Sequence, residues 1–190
     1  MAKFQLQELS PLGATEARVD EFDGLTVAEN ITFELASLAQ RRGKEKAFAA
    51  AAKKMLKVAL PGPGKAKSEG QNMVFNSGAG QWFAEMAPLK SGDIASKLTK
   101  GFGASASITE QTGGWCRFDL QGENAISTME RICAVDFAMM KANDATRSVV
   151  EHIGVFILCR KSGTDFTIYG PRSSAGSLHH ALTAAAKSAI

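Results

Sequence analysis

The stretch RSVVEHIGVFILCRKSGTDFTIYGPRSSAGSLHHALTAAAKSA, residues 147–189, decides the fold. Arg147–Ile153 and Val155–Cys159 are runs rich in β-branched and apolar residues, and Lys161-Ser162-Gly163-Thr164 after them is a turn. A third run, Asp165–Tyr169, ends at the break Gly170-Pro171. Arg172–Ala189 then reads as a helix. Ser173 or Ser174 is placed to cap its first turn, because a hydroxyl there accepts a hydrogen bond from an orphan N–H. Ser174, Leu178, Leu182, Ala185 and Ala189 recur at steps of three and four and form one apolar face. That face needs a sheet to pack on, and the three preceding runs supply it.

The upstream chain repeats this logic. Ile31, Phe33 and Leu35 alternate with Thr32, Glu34 and Ala36, the period of a half-buried strand. Arg41-Arg42-Gly43 ends it. Lys44–Lys57 reads as an alanine-rich helix with Phe48, Ala51, Ala52, Met55 and Leu56 on one face, and Leu60-Pro61-Gly62-Pro63-Gly64 stops it. Lys65–Gln71 is polar and reads as a mobile loop. Asn72–Asn76 and Gln81–Met86 flank Ser77-Gly78-Ala79-Gly80, a hairpin pattern. Ser91 is positioned to cap a helix over Gly92–Phe102. Ala104–Gln111 and Trp115–Leu120 flank Thr112-Gly113-Gly114 and read as a second hairpin, in which Trp115, Arg117 and Asp119 alternate with Cys116, Phe118 and Leu120. Glu123–Ala134 reads as a helix. The element string is βαββαβ and then βαβββα, two split βαβ units in tandem with ferredoxin-like order, an α+β class with antiparallel sheets covered by helices. The halves span about 29–111 and 114–189 of a single domain, 29–190. The acidic, turn-rich residues 1–28 read as an arm that orders on a partner.

The totals narrow the function classes. The chain has 190 residues, 45% apolar and 22% charged, which is ordinary globular material. No apolar run is long enough to span a bilayer, and the N-terminus has no secretory pattern, so the expected place is the cytoplasm, off the membrane. Cys116, Cys133 and Cys159 are widely spaced and read as buried thiols. Residues 1–40 carry seven acids and two bases, and residues 41–67 carry nine bases and one acid. The basic block reads as a solvated helix face and loop. A nucleic-acid partner is not expected, since no aromatic-rich RNP-type run is present.

Chemistry is sparse. Gly101-Phe102-Gly103-Ala104-Ser105-Ala106 matches G-x-G-x-x-A, but the dinucleotide reading needs a strand before it and a helix after it, and the expected order here is the reverse. His179 and His180 are helix neighbours about 100° apart and cannot chelate one ion together. His152 in its expected strand, beside Glu151, lacks a nucleophile partner. Neither a catalytic residue nor a cofactor or metal ligand is assigned.

Several stretches nevertheless resemble the gamma subunit of heterotetrameric sarcosine oxidase. They are Leu60-Pro61; Gly80-Gln81-Trp82-Phe83, like a G-P-x-x-W-L/F hairpin; Ser107–Leu120 with Gly122 and Ala125 after it; and Cys133-Ala134-Val135-Asp136, like C-x-x-D. The most specific is Gly170-Pro171-Arg172-Ser173-Ser174-Ala175-Gly176-Ser177-Leu178-His179-His180-Ala181-Leu182, like an R-S-x-A-x-S-L-W/H-x-x-L ending. The resemblance covers roughly residues 30 to 188.

It implies a fold like the folate-binding domain of the glycine-cleavage aminomethyltransferase. It also implies membership of an alpha, beta, gamma, delta complex that demethylates sarcosine to glycine, with hydrogen peroxide and 5,10-methylenetetrahydrofolate as further products. By resemblance FAD, FMN, NAD, tetrahydrofolate and zinc belong to the partner subunits, and this chain contacts alpha without a catalytic group of its own. The expected interface residues are Arg172, Ser173, Trp82, Phe83 and His179. Folate-using relatives carry a D-x-S segment on the central hairpin; here that region reads Ile108-Thr109-Glu110-Gln111-Thr112, without it. A stand-alone folate-binding protein or folate-dependent transferase on the same fold is the alternative.

Overall fold

The structure is a computed structural model that describes residues 7–89 and 93–189. Asp23-Gly24 turns the chain between β1 (Val19–Phe22) and β2 (Leu25–Asn30), with Phe22 opposite Leu25. Glycine takes the left-handed backbone such a two-residue turn needs, and Gly24 has φ +62°. This corrects the arm reading for these residues: β2 pairs along Thr26–Asn30 with β8 (Trp115–Gln121), so the segment belongs to the chain's own sheet. The residues before it are tied to the same strand. Both carboxylate oxygens of buried Glu29 accept backbone N–H groups, from Leu12 at 3.0 Å and Arg18 at 3.1 Å.

β3 (Glu34–Gln40) starts later than expected, leaving Ile31 exposed, and it is buried on both faces instead of one. Leu35 faces a second sheet, while Ala36 and Leu38 face helices. α1 (Glu45–Leu56) buries Phe48, Ala52 and Leu56. The segment expected to be a mobile loop holds β4 (Ala66–Glu69), because Gly70, at φ +58°, opens a hairpin turn onto β5 (Asn72–Gly78) and Ala66 is buried. β6 (Gln81–Met86) follows. α2 (Ile94–Phe102) is capped by Asp93, whose carboxylate accepts the Ser96 N–H at 2.7 Å; the expected cap Ser91 lies outside the described residues. β7 (Ala106–Glu110) comes directly after the helix, so Gly101 and Gly103 have the helix-then-strand order that opposes a dinucleotide loop. Gly101 serves packing: a Cβ there would stand 2.3 Å from the Met55 Sδ of α1.

The largest correction is at Thr112-Gly113-Gly114. It is no hairpin turn; it carries the chain from one sheet to the other. β7 pairs with β3, whereas β8 pairs with β2 and with β11 (Asp165–Pro171). The turn is anchored to β3, since Leu35 N–H donates to Thr112 Oγ1 at 2.9 Å and Gln111 N–H donates to Leu35 O at 2.8 Å. Beyond it, α3 is only Ala125–Met129, shorter than the expected helix, because the next N–H groups, of Arg131 and Ile132, bond three residues back, to Thr128 O and Met129 O, and tighten the chain out of α-helical register. β9 (Ala145–Val150) and β10 (Ile153–Lys161) precede β11. His152 falls in the β9–β10 turn and not in a strand. α4 (Ala175–Ala189) is entered through a 3-10 turn, Arg172–Ser174, in which backbone, not serine hydroxyl, closes the bond: Ala175 N–H donates to Arg172 O.

The sheets run β4-β5-β6-β3-β7 and β1-β2-β8-β11-β10-β9, antiparallel throughout. They lie face to face, and each is covered outside by helices. Period two decides which residue goes where. Cys116, Phe118 and Leu120 of β8 pack outward with Leu178 and Leu182 of α4, while Trp115 packs inward. The outer face of the first sheet gathers Val74, Ala84 and Leu38 under Phe48, Leu56, Leu98 and Phe102. The inner core between the sheets is Phe33, Leu35, Met73, Phe75, Phe83, Phe156, Leu158 and Tyr169.

Candidate functional site

The inner core is aromatic, with Phe75 stacked on Phe83 and on Tyr169 at centroid distances of 5.3 and 5.4 Å. A charged network is set into one end of it. Residues opposite each other in an antiparallel pair share a face, and two neighbouring rows of the second sheet supply most of the groups. Asn30, Arg117 and Tyr169 form one row, and Asp119 and Thr167 the next. From the first sheet comes Glu85, in a row with Met73 and Leu35.

Arg117 binds both carboxylates. Its Nε and Nη2 donate to Asp119 at 2.9 and 2.8 Å, a bidentate pair, and its Nη1 donates to Glu85 Oε1 at 3.0 Å. Tyr169 Oη donates to Glu85 Oε2. Thr167 Oγ1 donates to Asp119 Oδ1 at 2.6 Å and Asn30 Nδ2 to Asp119 Oδ2 at 3.0 Å. Arg160 completes the set, donating to Thr167 Oγ1 at 2.9 Å. Charge-assisted bonds of this kind lock geometry. Burial opposes the Arg117 charge, but Tyr169, Glu85 and Asp119 outweigh it and raise the guanidinium above its ordinary value. Burial first, and then the Glu85 charge, push the Tyr169 phenol well above its usual value, so it stays a donor. Two guanidiniums face two carboxylates, and the network is neutral. It contains neither a free nucleophile nor a free base.

The segment Asn30–Phe33, crossing from one sheet to the other, separates two clefts. One, of about 320 Å³, is polar and is lined by Arg117, Glu85, Arg160, Ser68, Gln71 and Met73. The other, of about 360 Å³, is more apolar and is lined by Leu9, Ile31, Phe33, Pro88, Trp115 and Arg172. A third groove, about 720 Å³, runs along α4 and brings His152, His180 and Arg131 to one rim. Among the described residues no three His, Cys, Asp or Glu side chains converge as a metal site.

The expected interface residues are placed as follows. Arg172 is half-buried and its Nη2 donates to Leu9 O at 2.6 Å, closing one wall of the apolar cleft; Ser173 is exposed beside it. His179 is drawn inward, because a carboxylate only accepts and so the imidazole Nε2 donates to Asp20 Oδ2 at 2.7 Å, tying α4 to β1. Trp82 packs on Phe48 at 5.3 Å and donates from Nε1 to Pro61 O at 2.8 Å. Phe83 is buried between the sheets, so neither ring projects as an exposed anchor. Glu110, in the segment that lacks a D-x-S, accepts the Thr112 N–H at 2.7 Å, and Trp115 Nε1 donates to Gln111 Oε1 at 3.1 Å; the turn closes on itself. The sequence does not announce the network of Arg117, Asp119, Glu85, Tyr169 and Arg160, whose members are spread over residues 85 to 169. Its one sequence signal is the alternation of β8, which sets Arg117 and Asp119 on one face.

The sequence matches no protein-family model and no curated protein. Solved structures do resemble the chain. A chain of heterotetrameric sarcosine oxidase from Corynebacterium sp. U-96, in complex with pyrrole 2-carboxylate, superposes with a TM-score of 0.75 at 18% identity, over 86% of this chain and 84% of that one. Glycine cleavage system aminomethyltransferase T from Bartonella henselae superposes with a TM-score of 0.57 at 13% identity, over 81% of this chain but only 44% of that one. The chain shares the α+β fold of these proteins. No helix among the described residues is long and apolar enough to cross a membrane.

Proposed function

We propose that the chain is the gamma-type subunit of a heterotetrameric sarcosine oxidase complex, without catalytic residues of its own. The observation that carries this reading is the pair of coverages. The sarcosine oxidase chain and this one match over nearly equal shares of their lengths, whereas the aminomethyltransferase is matched over less than half of its length. A chain of similar length in a heterotetramer is a better precedent than one domain of a larger enzyme. The site chemistry agrees: both carboxylates of the buried network are held by Arg117, and the Glu110–Thr112 turn spends its acid on its own backbone.

On this reading alpha, beta and delta subunits are the partners, with alpha the main contact, and the complex is cytoplasmic. FAD, FMN, NAD, tetrahydrofolate and zinc lie on those partners, so no chemical step passes through this chain. The holoenzyme forms glycine, hydrogen peroxide and 5,10-methylenetetrahydrofolate from sarcosine. Purification of the tagged chain from its own cells tests the reading. Larger subunits at equal amounts, with a flavin absorption spectrum, are expected. A colourless lone chain that binds reduced folate would replace it with the stand-alone folate protein.

A further inference from the structure

We propose that the polar cleft at the open end of the two sheets binds a small monocarboxylate, with the guanidinium of Arg160 as its anchor. The inference does not depend on the subunit reading. Replacing buried ion pairs by apolar side chains of similar volume is often neutral or stabilising. The aromatic interior between the sheets would hold without the network. What the network does is fix a charged floor under a cleft of about 320 Å³, at the small end of ligand pockets, which run to about 1,000 Å³.

Arg160 is the member of the network whose hydrogen bonds are least complete. It sits at a β-bulge: Cys159 opposes Phe166 and Lys161 opposes Asp165, which leaves Arg160 as the extra residue of β10. Bulges re-aim a side chain, and they cluster next to functional sites. Its Nε is used by Thr167, but its Nη1 meets only the Met73 sulfur, a weak acceptor, and its Nη2 is 3.9 Å from Glu85 Oε1, beyond hydrogen-bond reach. Arg117, by contrast, is spent on two carboxylates. Nη1 and Nη2 of Arg160 are therefore donors without good acceptors among the described residues, on a side chain that belongs to the cleft lining. Together they match the two oxygens of a carboxylate.

Local charge, not net charge, favours a small anion with one carboxylate: Arg117 is held by Glu85 and Asp119, which leaves Arg160 as the cation in the cleft lining with the fewest acceptors, and a second carboxylate on the ligand would be repelled by Glu85. The walls fit a short organic body: Phe33, Met73 and Met86 are apolar, and Ser68, opposite Met73 on β4, shares its inward face.

The test is an NMR titration of the full-length chain with sodium acetate, propionate and benzoate, with sodium chloride and inorganic phosphate as controls at equal ionic strength. Saturable shifts of the Arg160 side-chain Nε–H and of the Ser68 and Gln71 amides are expected for the carboxylates, at least tenfold tighter than for chloride. Arg160→Gln should weaken binding at least tenfold, Arg160→Lys should restore it in part, and Arg147→Gln, elsewhere on the inner face, should leave it unchanged. Shifts that rise linearly with any salt, tighter binding of phosphate, or full affinity in Arg160→Gln would overturn the proposal. The wild-type shift map decides even if the glutamine variant folds poorly.

Discussion

At the scale of single residues, the buried network makes the sharpest claims. Arg117 is 14% exposed in its side chain and holds two carboxylates, Glu85 at 8% and Asp119 at 17%. Arg117→Met leaves buried Glu85 and half-buried Asp119 with a lost partner, and unfolding in urea should show a loss of about 3 kcal/mol. Tyr169→Phe removes only the donor to Glu85 Oε2, so the same measurement should show about 1–3 kcal/mol. Asp20 acts at the surface end of α4. Its hydrogen bond from Arg18, opposed by partial burial and helped by His179, lowers its pKa from 3.8 to about 2. A folded-state pKa below the unfolded value means that the contribution is complete above about pH 4 and is lost as the pH falls through about 2. Acid unfolding of Asp20→Asn should accordingly differ from the parent above pH 4 and converge with it near pH 2. Cys116 is pushed up to about 11, by burial first, and Cys133 and Cys159 are buried too. An alkylating reagent at neutral pH should label none of the three until the chain is unfolded; rapid native labelling would contradict the buried placement.

At the scale of elements, the sequence carried most strands and helices but misassigned their neighbours. The final sheet and helix were legible because β-branched runs, a glycine turn and a 3.6-residue apolar face agree with one another. Two further hairpins carry a signal in the sequence: Asp23-Gly24 and Gly70-Gln71 are two-residue turn pairs with left-handed glycines. The Thr112–Gly114 crossover was not legible. A three-residue glycine turn between two strands looks the same locally whether the strands pair or part, and only the bonds to Leu35 settle it. The faces of β8 had the same limit, since period two separates Arg117 and Asp119 from Phe118 and Leu120 without saying that both faces are buried. Gly122 offers a test at this scale. Its φ is +140°, and a Cβ would stand 2.1 Å from Gly24 O, a backbone atom of the β1–β2 turn that cannot swing aside. Gly122→Ala should cost at least about 3 kcal/mol and loosen the N-terminal hairpin, with amide exchange at Val19–Asn30 rising before the rest of the sheet.

At the scale of the whole molecule, two sheets lie face to face with helices outside, and the clefts on either side of Asn30–Phe33 are the openings beside the buried charged network. The proposed subunit role places function in what the molecule adjoins. The sequence bears on this level only through resemblance, because its residues present no constellation of acid, base and nucleophile from which to read a function. The measurement that tests the central claim most directly is native mass spectrometry of the particle purified through this chain from its own cells. The account predicts a heteromer holding one copy of this 20.1 kDa chain together with larger, flavin-bearing subunits. A spectrum containing only the free chain or its own multimers would contradict it.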